Sequence, residues 1–568
     1  MQITLQKALS FYLTGSTALP TSIISTEQKS SITTREEADD LETTIEEHKK
    51  SNEESVKFKN QTLNLEANLN TVDGQFRQAG LGAIGSFFSA IGAGIGSKLT
   101  FSCGLGLAGL SFCASLLKNV PHLSTKYKYL SLGGNLIRSP LRILDSIFSL
   151  VGEQGSKFTI PSLSASLLGI FSLNRIFKGK DNKSAELPLD TISGTLGRAA
   201  GHHFDSMLAS KAVELSSNHQ NTSAFLATSV LTSGLLLKDE LKKKEIPWNT
   251  FEGYIAQGNI NFLDSLFSGI GKVFSTALNN SRNIAIGASG IILGMPLLGS
   301  IINSLNYTIP FGTFEGKLVQ SIFRVPESFA FNLGNVIGNS NIGLPLSIGF
   351  IGLTSFACLS KPGHKLIRNI EISKDSLAGQ FQKLPLLHFM YSVISSAGVK
   401  LSNFVPAPLL LLFGPALSFQ IGEKLKNIPS KFTDVKGLML RNSIHLWETI
   451  VTRAAYKTGR MVVGTQEEIS SSGSVFGEHW LPQDGQIVDS MAIGKQMNEK
   501  KEANLVNILL SGLGGIVLSL GGFLISKQFM KGEKNNEIIE DKPQTKKQYI
   551  EQQKPISKPQ IVEAKKAA

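Results

Sequence analysis

Arg324 and Glu327 stand three residues apart, with Gln320 four residues before the arginine, and this arrangement recurs along the 568-residue chain. The other sets are Arg138, Arg142 and Asp145; Arg198, His202 and Asp205; Gln257, Asn261 and Asp264; and Arg441, His445 and Glu448. In a helix, residues at i, i+4 and i+7 share one face, and a base three residues before an acid can pair with it. Such a stripe could do three things. It could line a polar passage or ion relay, because ionisable groups inside a bilayer are costly and face a bundle interior or a water-filled cavity. It could bind the stripe of a neighbouring helix. It could also face water and headgroups from a helix lying at the membrane surface. Repetition favours the two architectural readings, since a transport site needs a few unique groups and not near-copies.

Nothing else in the chain points to catalysis. It has no P-loop, HExxH or GxSxG motif, and the adjacent His202 and His203 cannot share a helical face as i, i+4 metal ligands do. Cys103, Cys113 and Cys358 lie in apolar runs and read as small apolar residues, with neither a disulfide framework nor a metal site. The expectation is a non-enzymatic protein without cofactor or metal.

The stripes belong to a larger period. With the glycine of "TFEG" as reference, one frame fits at Gly74, Gly134, Gly194, Gly253, Gly316, Gly379 and Gly437. Three residues before each glycine stands Thr71, Ser131, Thr191, Thr250, Thr313, Ser376 or Asp434, all good helix N-caps. Twelve residues after it comes a hydroxyl: Ser86, Ser146, Ser206, Ser265, Ser328, Tyr391 or Thr449. Units 1 and 6 replace the stripe by Gly82 and Gly85 and by Leu387 and Met390. Each unit reads as two helices. The first starts at the cap and carries the stripe; the second is apolar, at about 100–117, 159–177, 222–237, 283–305, 342–360, 406–421 and 505–526. Most of these second helices are nearly charge-free and long enough to span or nearly span a bilayer core.

The fold expected is therefore all-α: an integral membrane protein of seven tandem helical hairpins of about 60 residues over 71–527, starting near 71, 131, 191, 250, 313, 376 and 434. A polar, charged arm (1–70) precedes it, and a basic, disordered tail (528–568) follows. An insertion at about 464–502, with "FGEHWLPQDGQIV", interrupts the last unit.

Charge gives an orientation. The linkers into units 2, 3, 4, 6 and 7 are rich in Lys and Arg (Lys118, Lys126 and Lys128 in the first), whereas the first six turns inside the hairpins carry only Lys98, Lys157, Arg282 and Lys400. By the positive-inside rule the linkers and both termini face the cytoplasm or its equivalent in a multi-pass membrane protein. This distribution also accounts for the net charge of +12 without nucleic acid, since aromatics are not interleaved with the bases. The partners expected are the lipid bilayer, proteins recruited through 1–70 and 528–568, and further copies of the chain in a homo-oligomer. The function expected is a membrane scaffold or organising protein, with a transporter or channel lined by the stripe as the alternative.

Overall fold

A computed structural model of the chain describes, with short gaps, residues 67–116, 126–127, 131–178, 186–236, 247–279, 313–360, 377–430, 435–464 and 507–520. The arm before residue 67, the apolar segment 283–305, most of the insertion 464–502 and the tail 528–568 lie outside the described residues. Within them the fold is all-α; the β-contacts are three isolated bridges.

Seven long helices start at the expected first-helix positions. They are α1 (Val72–Gly96), α3 (Leu132–Ser156), α5 (Ile192–Asn218), α7 (Phe251–Asn279), α8 (Phe314–Asn339), α10 (Leu377–Leu401) and α12 (Val435–Val462). Shorter helices follow six of them: α2 (Phe101–Leu116), α4 (Thr159–Lys178), α6 (Gln220–Leu236), α9 (Gly343–Leu359), α11 (Ala407–Lys424) and α13 (Leu510–Leu520).

The N-caps act as the sequence implies. The side-chain oxygens of Thr71, Ser131, Thr191, Thr250 and Thr313 each accept the backbone N–H of the reference glycine three residues on, at 3.0–3.3 Å. This satisfies a first-turn donor that has no partner within its own helix. The caps at 376 and 434 lie outside the described residues. The glycine has its own reason. A Cβ at Gly74, Gly194 or Gly253 would collide with the carbonyl of Asn68, Pro188 or Pro247, where the incoming linker folds over the helix start.

The long helices pack side by side in chain order, from α1 through α3, α5, α7, α8 and α10 to α12, and α12 returns to α1. They make a closed inner ring. The linkers tie it together by one contact used three times. Lys126 bridges Thr191, Glu186 bridges Thr250, and Pro429, in the linker before α12, bridges Thr71 before α1. In each case a linker joins the cap of the next long helix, so the last joint closes the ring in the same manner as the earlier ones.

Small residues let the inner helices approach. The residue eighteen past the reference glycine is Gly92, Gly152, Ala212, Gly271, Gly334, Ala397 or Ala455. A Cβ at Gly92, Gly152, Gly271 or Gly334 would strike the carbonyl oxygen of Ile143, His203, Val325 or Phe389 on the next helix. The three alanines at this position are fully buried.

The short helices form an outer layer. Their outward faces are strongly apolar, with Ile160, Leu163, Ile348, Leu353, Phe356 and Leu409 exposed. Among the described residues only α1 is by itself long and apolar enough to cross a bilayer, and 72% of its apolar window is buried inside the protein. Helices α8 and α9 pass the same test only as a pair bent by 115°. The expected set of hairpin crossings is not matched by length and apolarity helix by helix. Most inner helices carry the polar stripe, and the outer helices α2, α4, α6, α9 and α11 have only 16 to 20 residues.

Candidate functional site: the polar seams of the inner ring

All fifteen stripe residues lie on inner helices, and none is exposed. The structure brings most of them together across the joints between helices. The position eleven past one reference glycine meets the position eight past the next. His202 Nε2 of α5 lies 3.4 Å from Asp145 Oδ1 of α3. Asn261 Nδ2 of α7 donates to Asp205 Oδ1 of α5 at 2.6 Å. Arg324 Nε of α8 donates to Asp264 Oδ2 of α7 at 3.3 Å, and Ser321 Oγ donates to the other oxygen of the same carboxylate. At the first joint, unit 1 has Gly85 in place of an acid, and the Arg142 guanidinium lies against it so closely that a Cβ there would clash.

The densest seam crosses three helices. Arg324 donates through Nη1 to Glu327 Oε2 at 2.9 Å on its own helix while holding Asp264 on the previous one. Glu327 Oε1 then meets His388 Nε2 of α10 at 2.7 Å. One guanidinium thus bridges two carboxylates, and the second carboxylate reaches an imidazole. The side chains of Asp264, Arg324 and Glu327 are 2%, 13% and 11% exposed. In so dry a setting, hydrogen bonding between opposite charges compensates the loss of hydration.

Unit 6 lacks the stripe at the expected positions, and the seam passes through residues one place further on. His388 takes the part of the missing base, and Tyr391 packs edge-on against His445 of α12 with ring centroids 4.2 Å apart. His445 Nδ1 lies 2.6 Å from Glu448 Oε2 within α12. A frame read at fixed offsets misses His388; allowing one residue of slippage would have found it.

Of the residues at the first stripe position, Arg198 works at the ring's linker end. Arg198 donates through Nε and Nη2 to the Leu187 carbonyl at 3.0 and 2.9 Å, and its guanidinium lies 5.9 Å from the centre of the Tyr254 ring. It fastens the linker strand onto the helix start. The hydroxyl row reinforces the seams further along: Ser206 Oγ donates to Ser149 Oγ at 2.9 Å, and Ser328 Oγ to the Ser268 carbonyl at 2.7 Å.

A cavity of about 420 Å³ opens between the C-terminal halves of α7 and α8, lined by Lys272, Asn332 and Asn335 among others. The stripe does not reach it. Among the described residues, no group of three or more His, Cys, Asp or Glu could hold a metal ion. No protein-family model, curated protein or solved structure matches this chain.

Proposed function

We propose that this chain is a non-enzymatic membrane scaffold: seven tandem helical hairpins closed into a ring, with inner helices joined by polar seams and outer helices turned to lipid. The observation that carries the reading is the apolar outer layer. Isolated exposed apolar residues are ordinary on soluble proteins, but contiguous patches beyond a few hundred Å² mark interaction or membrane surfaces. Here such residues recur on all six described outer helices, from Leu110 on α2 through Leu163 on α4, Val230 on α6, Ile348 on α9 and Leu412 on α11 to Val517 on α13.

The polar groups support the scaffold reading over a passage. The stripe groups of successive helices bond one another across the seams, as inter-repeat fastenings would. Their recurrence at several joints, with Gly85 and His388 as local variants, suits a body built from repeated fastenings. On the proposed topology the basic linkers and both polar arms share the cytoplasm-like side, where the arms at 1–70 and 528–568 recruit protein partners.

Alkaline carbonate extraction of membranes from cells expressing the full chain tests this. Retention in the pellet with release only by detergent is the expected result. Quantitative release into the supernatant would sink the bilayer reading.

A further inference from the structure

The outer helices follow one seating rule. Each described one packs on the two inner helices that come after it: α2 on α3 and α5, α4 on α5 and α7, α6 on α7 and α8, α9 on α10 and α12, and α11 on α12 and α1; α4, α6 and α9 also touch the inner helix that precedes them. Continued once more, the rule assigns the helix after α12, which is α13, to the groove between α1 and α3. In the structure α13 lies elsewhere, against α6. Thr228 Oγ1 donates to the Gly512 carbonyl at 2.8 Å, Ser229 Oγ to that of Gly515 at 3.2 Å, and Ser519 Oγ to that of Ser229 at 3.0 Å.

Burial marks the groove as a seat without its helix. Fourteen residues past the reference glycine, six inner helices bury an apolar side chain: Phe148, Leu208, Phe267, Ala330, Val393 and Val451 are all buried. The seventh, Phe88 of α1, is only half-buried. Three residues past the glycine, Arg77, Ala256 and Leu440 are buried, whereas Ile137 of α3 is 44% exposed. Pro140, one turn further along α3, is also exposed, as is Ile95 at the far end of α1.

We infer that the α1–α3 groove is a docking surface for α13 of the same chain, which has two seats. Three observations choose this occupant. First, the inner faces of seated outer helices are small: Gly104 of α2 meets Val151, and Gly414 of α11 meets Val451. Helix α13 carries the same kind of stripe in Gly512, Gly515 and Ser519. Large apolar knobs on the groove would fit these small positions, as side-chain ridges of one helix fit the grooves of another. Second, the other described inner-to-outer connections are short (97–100, 157–158, 219, 340–342 and 402–406), but residues 463–509 separate α12 from α13. That tether is long enough to serve both seats, and tethering keeps the effective concentration of α13 at the groove high. Third, α13 in the groove would continue the ring's own pattern of contacts. The inference rests on the ring geometry and not on the membrane reading.

Cysteine cross-linking on the purified full-length chain, with Cys103→Ala and Cys113→Ala as background, tests it. One variant pairs Ser519→Cys with Ser229→Cys, which reports the seat on α6. The other pairs Ser519→Cys with Ile137→Cys, because Ser111, the matching residue of α2, donates to Leu196 near the start of its own inner helix. The expected result is that both pairs give an oxidised, faster-migrating monomer that reverts on reduction. Three results would overturn the inference. The 137–519 pair could give only disulfide-linked dimers, making a second copy's helix the occupant. It could give no product while the 229–519 pair cross-links. Both pairs could stay reduced in a chain that elutes as a folded species.

Discussion

Arg324 shows how one side chain can fasten three others. It holds Asp264 across a helix joint and Glu327 on its own helix, and Glu327 in turn meets His388. Removing it leaves the nearly buried Asp264 carboxylate without its ion-pair partner and Glu327 with His388 alone. Loss of one partner of a buried pair costs about 3–5 kcal/mol. Arg324→Ala should therefore lower the thermal midpoint of the purified full chain far more than Arg138→Ala, measured side by side. A charge swap separates a local pair from an interhelix fastening. Arg324→Glu with Glu327→Arg restores the pair within α8 but sets a carboxylate against Asp264. If the seam matters, that double variant stays destabilised and adding Asp264→Asn recovers part of the loss; full recovery in the double variant would show that only the local pair counts. The stripe itself was legible from i, i+4, i+7 spacing. Its cross-helix partners were not, because nothing local in a sequence says that one unit's eleventh position meets the next unit's eighth.

At the scale of the element, caps and glycines carry the argument. Thr313→Ala removes the acceptor for the Gly316 N–H and should cost about 1 kcal/mol, read from the unfolding midpoint. Thr313→Ser keeps the oxygen and should stay close to the parent. A larger effect belongs to the position eighteen past the reference glycine. Gly152→Leu drives a side chain into the His203 carbonyl and should cost more than the roughly 1–3 kcal/mol of an overpacked core, because backbone has to move. Gly106→Leu on α2 is the control, since nothing lies within 4 Å of a Cβ there. The caps were readable because capping is local chemistry: a Ser, Thr or Asp three residues before glycine. The eighteenth position is Gly or Ala in every unit and was equally open to reading, but its meaning comes from a backbone on another helix. Helix lengths were less legible. The polar stripe lies within helices of 25 to 29 residues, whereas the described apolar helices α2, α4, α6, α9 and α11 have 16 to 20.

At the scale of the whole molecule, the period fixes neighbours but not closure. Equal spacing is compatible with an open superhelix as much as with a ring, and the deciding contact joins residues more than 350 positions apart. Val72 N–H donates to the Ile428 carbonyl at 3.0 Å, and Gln75 Nε2 to Ser430 Oγ at 3.0 Å. Along the same joint Gly459 of α12 lies against Ala90 of α1. Lys98 Nζ of α1 donates to the Val463 carbonyl after α12 at 3.2 Å, so Lys98→Cys with Val463→Cys, in the Cys103→Ala, Cys113→Ala background, should be bridged within one chain by a short thiol cross-linker, seen as a gain in mobility; an open arrangement would leave the pair unbridged. The central claim is that this ring sits in a bilayer with its outer helices facing lipid. Nitroxide labels at Ile348, Leu353 and Phe356 of α9 in the reconstituted full chain test it most directly, read by their accessibility to oxygen and to a water-soluble nickel complex. The account expects oxygen to relax all three labels while the nickel complex does not reach them. Labels relaxed by the nickel complex and shielded from oxygen would place that face in water and contradict the account.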